Sequence, residues 1–228
     1  YKEDSVDILR NFNLKINNNE TIALVGATGA GKTTIATLMS RFYDVTDGSV
    51  LFNGINIKEY NQDDLHSHMG IVLQEGYLYS GTILENLKFR NPHLKDEDVI
   101  SFCKQLGTHD MIISLPEAYQ TTVGEGGHAV SHGQRQLISL TRALITKPKI
   151  MIFDEATSSI DVLTESILTK AIEKISKATT TVIIAHRLST VKNADRILVI
   201  GDGGILEEGN YNDLIAKNGH FAKLAIEL

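Results

Sequence analysis

Short apolar runs at residues 22–25, 71–73, 150–153, 182–185 and 197–200 are separated by longer stretches in which apolar residues recur at helical spacing. Most of these runs are continuous rather than alternating, as in strands covered on both faces, and they predict a mainly parallel α/β sheet. From Asp161 onward, Leu163, Ile167, Leu168, Ala171, Ile172 and Ile175 keep one face apolar. That spacing predicts a helix, N-capped by Asp161, joining the strand at 150–153 to the one at 182–185. Gly201-Asp202-Gly203-Gly204 predicts a hairpin into Ile205 and Leu206, because Asp-Gly accepts the backbone angles of a tight turn.

The stretch from 82 to 145 has a different texture. Residues 96–106 and 134–145 read as helices, with no strand of the continuous kind between them. The expected organisation is therefore an α/β core of residues 1–81 and 146–228, with an antiparallel β portion, and an inserted helical subdomain of residues 82–145. Pro92, Pro116 and Pro148 fall at predicted helix boundaries, so nothing calls for a linker between separate domains.

Composition narrows the functional classes. Hydrophobic residues are 42% of the 228, and with 18 glycines the apolar share is that of a chain able to bury a core. The net charge of −6 and the lack of a basic run argue against nucleic acid as a partner. Cys103, the one cysteine, allows neither an internal disulfide nor zinc-type spacing, and a reducing compartment is the natural expectation. No apolar run approaches the roughly 18–20 residues of a membrane helix, so this stretch of chain is expected to be soluble by itself. The start, Tyr1-Lys2-Glu3-Asp4, carries neither Met nor a signal pattern and reads as the edge of a piece of something longer.

Residues 26–33, Gly-Ala-Thr-Gly-Ala-Gly-Lys-Thr, fit G-x-x-x-x-G-K-[ST] after a predicted strand and before a predicted helix. The glycines let the backbone wrap an anion, Lys32 reaches β- and γ-phosphates, and the Thr33 hydroxyl is a ligand for Mg²⁺. The alternative is a glycine-rich turn with a solvated lysine. Asp154 and Glu155 end the apolar run at 150–153, where ligands sit in open α/β sheets. One carboxylate can approach the metal and the other an attacking water, or both can simply cap the next helix. Ser131-His132-Gly133-Gln134 has capping-box spacing before an apolar helical face, which leaves an anion site and an ordinary capped helix equally open. His186 follows the run at 182–185 and is expected on the same sheet edge as Asp154.

In order along the chain, residues 26–34, Gln74, Ser131 to Gln134, Asp154-Glu155, Ser158-Ser159-Ile160-Asp161 and His186 resemble the nucleotide-binding domain of an ABC transporter. The likeness covers nearly the whole chain. Ser80-Gly81-Thr82-Ile83-Leu84-Glu85-Asn86, Val123-Gly124-Glu125-Gly126-Gly127 and Ala185-His186-Arg187-Leu188-Ser189-Thr190 are similar to the exporter branch, with its multidrug and lipid exporters.

The resemblance implies a P-loop NTPase fold and ATP hydrolysis with Mg²⁺. It implies nucleotide contacts from Tyr1, which would stack on adenine, and from Gly26, Thr28, Gly29, Ala30, Gly31, Lys32, Thr33 and Thr34. Thr33, Gln74 and Asp154 would serve the metal. Glu155 would be the general base, His186 the γ-phosphate switch, and Gln74 the relay to the membrane domain. Ser131, His132, Gly133 and Gln134 would close over the γ-phosphate held by a second nucleotide-binding domain in a head-to-tail dimer, with Ser159 and Asp161 at the interface. Transmembrane domains of an exporter, at the cytoplasmic face of the cell membrane, would be the other partner. Two positions depart from the family pattern: His132 stands where Gly is usual, and Ala27 where many exporters have Pro. Competing readings are an ABC-type ATPase acting on DNA or ribosomes, an importer subunit, and a GTPase or small-molecule kinase. The last lacks support because no Asn-Lys-x-Asp guanine signature is present.

Overall fold

A computed structural model describes residues 7–73, 76–89, 91–125, 129–154, 162–176, 178–185 and 187–226. In chain order the elements are β1 (Thr21–Val25), α1 (Lys32–Met39), β2 (Leu51–Phe52), β3 (Ile55–Asn56), α2 (Gln62–Ser67), β4 (Met69–Val72), β5 (Gly81–Thr82), α3 (Ile83–Lys88), α4 (Asp96–Leu106) and α5 (His109–Ile113). They continue as β6 (Thr122–Val123), α6 (His132–Ile145), β7 (Ile150–Asp154), α7 (Val162–Ser176), β8 (Thr180–Ile184), α8 (Leu188–Lys192), β9 (Arg196–Gly201), β10 (Gly204–Gly209), α9 (Tyr211–Lys217) and α10 (His220–Leu224).

Six strands form one sheet in the order β10-β9-β1-β8-β7-β4. All neighbouring pairs are parallel except β9 with β10, the expected hairpin, where Gly201 pairs with Gly204 across Asp202-Gly203. The mainly parallel α/β fold with an antiparallel portion is therefore present. Continuous apolar strands result because each strand feeds two cores. Ile22, Leu24, Ile152, Val182, Ile184, Leu198 and Ile200 meet Ile35 and Ala36 of α1 on one face. Ala23, Val25, Met151, Phe153, Ile183, Ile197 and Val199 meet α6, α7, Leu214 and Phe221 on the other. Each such large side chain contributes roughly 1.5–3 kcal/mol on burial, which favours a single register.

Several boundaries differ from expectation, among them the run at 182–185, which is β8, Thr180–Ile184. The strand expected at 71–73 is β4, Met69–Val72, and Leu73 is 55% exposed. Gly70 hides the strand's start from an apolar-run reading, yet a Cβ there would lie 2.2 Å from Met151 Sδ, so the strand packs where the run is broken. Helix α6 begins at His132, two residues ahead of the apolar run, because its cap lies at Ser131.

Between residues 81 and 145 the helices α3 to α6 enclose a cluster of their own that includes Ile83, Leu87, Val99, Cys103, Ile112 and Ile138, and the two-residue strands β5 and β6 pair antiparallel. Burial pushes the Cys103 thiol up against hydrogen bonds with Tyr119 and Thr108 that pull the other way, so it is a packing residue rather than a nucleophile. Among the described residues no helix is long and apolar enough to cross a membrane.

Candidate functional site

The loop of residues 26–31 leaves the C-terminal end of β1, an interior strand, and enters α1. Gly26 has φ of 146°, and a Cβ there would lie 2.3 Å from the Ile200 carbonyl oxygen, so the loop passes over β9 only as glycine. The curl brings Lys32, the first residue of α1, to 6% exposure. Its Nζ donates to the Gly26 and Ala27 carbonyls at 2.7 and 2.9 Å. Loss of water around the ammonium lowers its pKa, while the Asp154 carboxylate works to raise it. A cation held in this way gains more from an arriving anion than one already solvated. Gly31, the N-cap of α1, offers no side-chain acceptor, and no acidic residue stands in the first turn. The positive end of that helix therefore faces the loop without a competing anion of its own.

Strand β7 ends at Asp154, two strands from β1. There the Thr33 hydroxyl stands 3.5 Å from Asp154 Oδ2, a distance at the limit of a hydrogen bond. The two groups are hard oxygen donors converging beside the phosphate loop, a donor set that suits Mg²⁺, which takes one or two protein oxygens and completes its shell with phosphates and water. Among the described residues no group of three or more His, Cys, Asp or Glu converges into an all-protein metal cage. The structure thus brings together Lys32, Thr33 and Asp154, from two separate motifs of the predicted set. Tyr1, Gln74, Glu155, Ser159, Asp161 and His186 lie outside the described residues.

At α6 the capping box is formed: the Gln134 N–H donates to Ser131 Oγ at 3.2 Å, and the Ser131 N–H donates to Gln134 Oε1 at 2.8 Å. Ser131 is exposed, and His132 lies inside the helix rather than in left-handed backbone. Replacing the usual glycine therefore introduces no strain at this position. The His132 Nδ1 is buried without a hydrogen-bond partner among the described residues. Helix α6 packs chiefly on α3 and β4.

Two features have no counterpart in the sequence reading. Tyr79 stacks on Phe89 with ring centroids 4.0 Å apart, Tyr77 meets Tyr79 edge-on, and the Arg142 guanidinium lies 5.3 Å over the Tyr79 ring. All three aromatics are at least 40% exposed. Arg187 and Glu165 form an ion pair between α7 and the N-cap residue of α8. Partners remote in sequence leave no periodic trace, although the Tyr-x-Tyr spacing at 77–79 was a signal for one outward face.

A glycine-rich loop around a buried lysine, opposite an acid at a strand end of a parallel sheet, defines a phosphate-binding α/β domain of the nucleotide-binding class. A family model described as ABC transporter matches residues 9–158. The chain is 44% identical over 224 residues, 98% of its length, to multidrug export ATP-binding/permease proteins of Staphylococcus aureus strains NCTC 8325 / PS 47 and Mu50 / ATCC 700699. It aligns with TM-score 0.91 and 36% identity to the structure of a bacterial Atm1-family ABC exporter with ATP bound, covering 98% of this chain and 39% of that one. The chain belongs to the ABC transporter family, as its ATP-binding domain, and spans 39% of the length of the Staphylococcus relatives.

Proposed function

We propose that the chain binds and hydrolyses ATP to power a membrane exporter, by closing head to tail on a second nucleotide-binding domain and opening after hydrolysis. The observation that carries this reading is the buried Lys32 inside its glycine loop, with Thr33 and Asp154 converging beside it. Lys32 and the α1 N-terminus hold the β- and γ-phosphates, with Gly26, Thr28, Gly29, Ala30, Gly31, Thr33 and Thr34 around them. Thr33 and Asp154, with Gln74, hold Mg²⁺, which when bound neutralises charge developing on the phosphates. Glu155 takes a proton from the attacking water, and His186 contacts the γ-phosphate. Tyr1 stacks on the adenine.

Ser131 to Gln134 face the phosphate of the opposite subunit, so each site is completed by a partner, with Ser159 and Asp161 at the interface. The region of residues 82–145 acts as one unit in that closure, and the core of 1–81 and 146–228 as another; a buried cluster drawn, Leu78 apart, from the helical stretch supports this division. The exposed Tyr77, Tyr79 and Phe89, in contact with one another, supply an apolar face of the kind that marks a docking site. On this reading transmembrane helices of the exporter rest there, on the cytoplasmic side of the membrane.

The test is Mg²⁺-dependent phosphate release from ATP beside ATP binding by calorimetry. Lys32→Ala is expected to weaken binding by about 100-fold or more, since it removes the phosphate-facing cation. Full-strength binding in that variant would contradict the assignment.

A further inference from the structure

Three glycines of the phosphate loop, Gly26, Gly29 and Gly31, have φ of 146°, 82° and 100°. A stretch so rich in glycine has many backbone states to lose on ordering and few side chains to hold it from within. Its shape is therefore set largely by what surrounds it. At its start Gly26 lies against the Ile200 carbonyl of β9. Within it, the Ala30 N–H donates to the Ala27 carbonyl at 3.2 Å, and Lys32 Nζ fastens the Gly26 and Ala27 carbonyls. A phosphate that draws the ammonium competes with the two Lys32 bonds.

At the far end, a Cβ on Gly31 would lie 3.0 Å from Leu9 Cδ2 and 3.2 Å from Ile8 Cγ2, so these two side chains fill the space beside the N-cap of α1. Leu9 is half-buried on the cluster between the sheet and α1, where Ala30 of the loop also packs. The segment is itself tied to the sheet, because the Arg10 N–H donates to the Gly203 carbonyl at 2.8 Å in the turn between β9 and β10. Both ends of the loop are thus referred to one hairpin, Gly26 through Ile200 and Gly31 through residues 8–10. We infer that Leu9 is a positioning residue for phosphate binding: seated against Gly31 and held by the Arg10–Gly203 bond, it fixes the α1 end of the loop in its anion-ready shape. Leu9 needs no contact with the ligand. It acts by lowering the ordering cost that binding would otherwise carry. This role rests on the phosphate-loop reading proposed above.

The experiment titrates ATP and, separately, pyrophosphate into the 228-residue chain by calorimetry, and records Tm, for wild type, Leu9→Ala, Leu9→Val, Leu9→Met and Leu14→Ala. Leu9→Ala is expected to weaken both ligands by the same factor, about tenfold, because the loop and not the nucleoside is disturbed. Leu9→Val, which keeps the fold where Leu9→Ala does not, is expected to weaken both by a smaller common factor. Leu9→Met, of similar volume, should restore both affinities to within about twofold of wild type. Leu14 packs on the same cluster, so Leu14→Ala should lower Tm as Leu9→Ala does yet leave both affinities within about twofold of wild type. Unchanged affinities in the folded Leu9 variants, a loss confined to ATP, or an equal loss in Leu14→Ala would each overturn the positioning role and leave the phosphate-loop reading standing. A wild-type chain that binds neither ATP nor pyrophosphate would overturn the phosphate-loop reading first, and the role of Leu9 with it.

Discussion

Lys32 shows how a single side chain can be prepared for a ligand at a cost to itself. Its ammonium donates to two carbonyls of its own loop, and its withdrawal from water lowers its pKa and leaves its charge available to a phosphate. His132 is the contrasting case, a bulky residue where relatives of this family usually carry glycine. Because it sits in ordinary helix and the Ser131–Gln134 box is intact, His132→Gly should change turnover by less than about tenfold, since no backbone strain is relieved. A steady-state assay showing a rise of orders of magnitude would mean that the ring obstructs the phosphate. The four-residue spacing made the capping box legible from sequence. The inward turn of Lys32 was not, since it depends on the passage of Gly26 over the Ile200 carbonyl, a contact between strands far apart in the chain.

Among the elements, long apolar-periodic segments were legible and short ones were not. The helix read at 96–106 coincides with α4, whereas α2, α8, α9 and α10, of five to seven residues, complete too few turns to display a face. Tertiary contacts hold these pieces instead. Glu207 on β10 accepts the His220 and Phe221 N–H groups at 2.7 and 2.9 Å and so fixes the start of α10. The Phe221 hydrogen bond is the main reason its pKa is lowered. A folded-state pKa below the unfolded one contributes stability above the ordinary glutamate value, and that stability is lost as pH falls through the folded value. Between about pH 6 and about pH 3, Glu207→Gln should therefore lose less Tm than wild type; an equal or larger loss would refute the cap. Gly76 is a second such contact. A Cβ there would lie 2.9 Å from the Arg135 and Gln136 backbone in the first turn of α6. Gly76→Ala is expected to destabilise the fold by about 1–3 kcal/mol, read from the denaturant midpoint, because backbone cannot yield as a side-chain tip can.

At the scale of the molecule, one sheet serves two cores and also presents the candidate site at the ends of β1 and β7. The C-terminal helices belong to that framework: Phe221 is fully buried against the Tyr211 ring and the lower sheet face. Phe221→Ala should cost about 3–5 kcal/mol in chemical unfolding, with ATP affinity preserved wherever the variant remains folded. The sheet was legible because continuous apolar runs encode burial on both faces. Completion of the site by a second subunit came from the family resemblance of Ser131 to Gln134, with Ser159 and Asp161, and not from spacing or periodicity; among the described residues of that set, the Ser131 end of α6 is exposed. On the proposed mechanism two chains share each ATP. It is tested most directly by size exclusion of Glu155→Gln with excess ATP and Mg²⁺, beside the wild-type ATPase rate as a function of protein concentration. The predicted result is a nucleotide-dependent dimer of the variant and a wild-type rate that rises faster than linearly. A monomer at every nucleotide concentration, with specific activity independent of protein concentration and unchanged by Glu155→Gln, would contradict it.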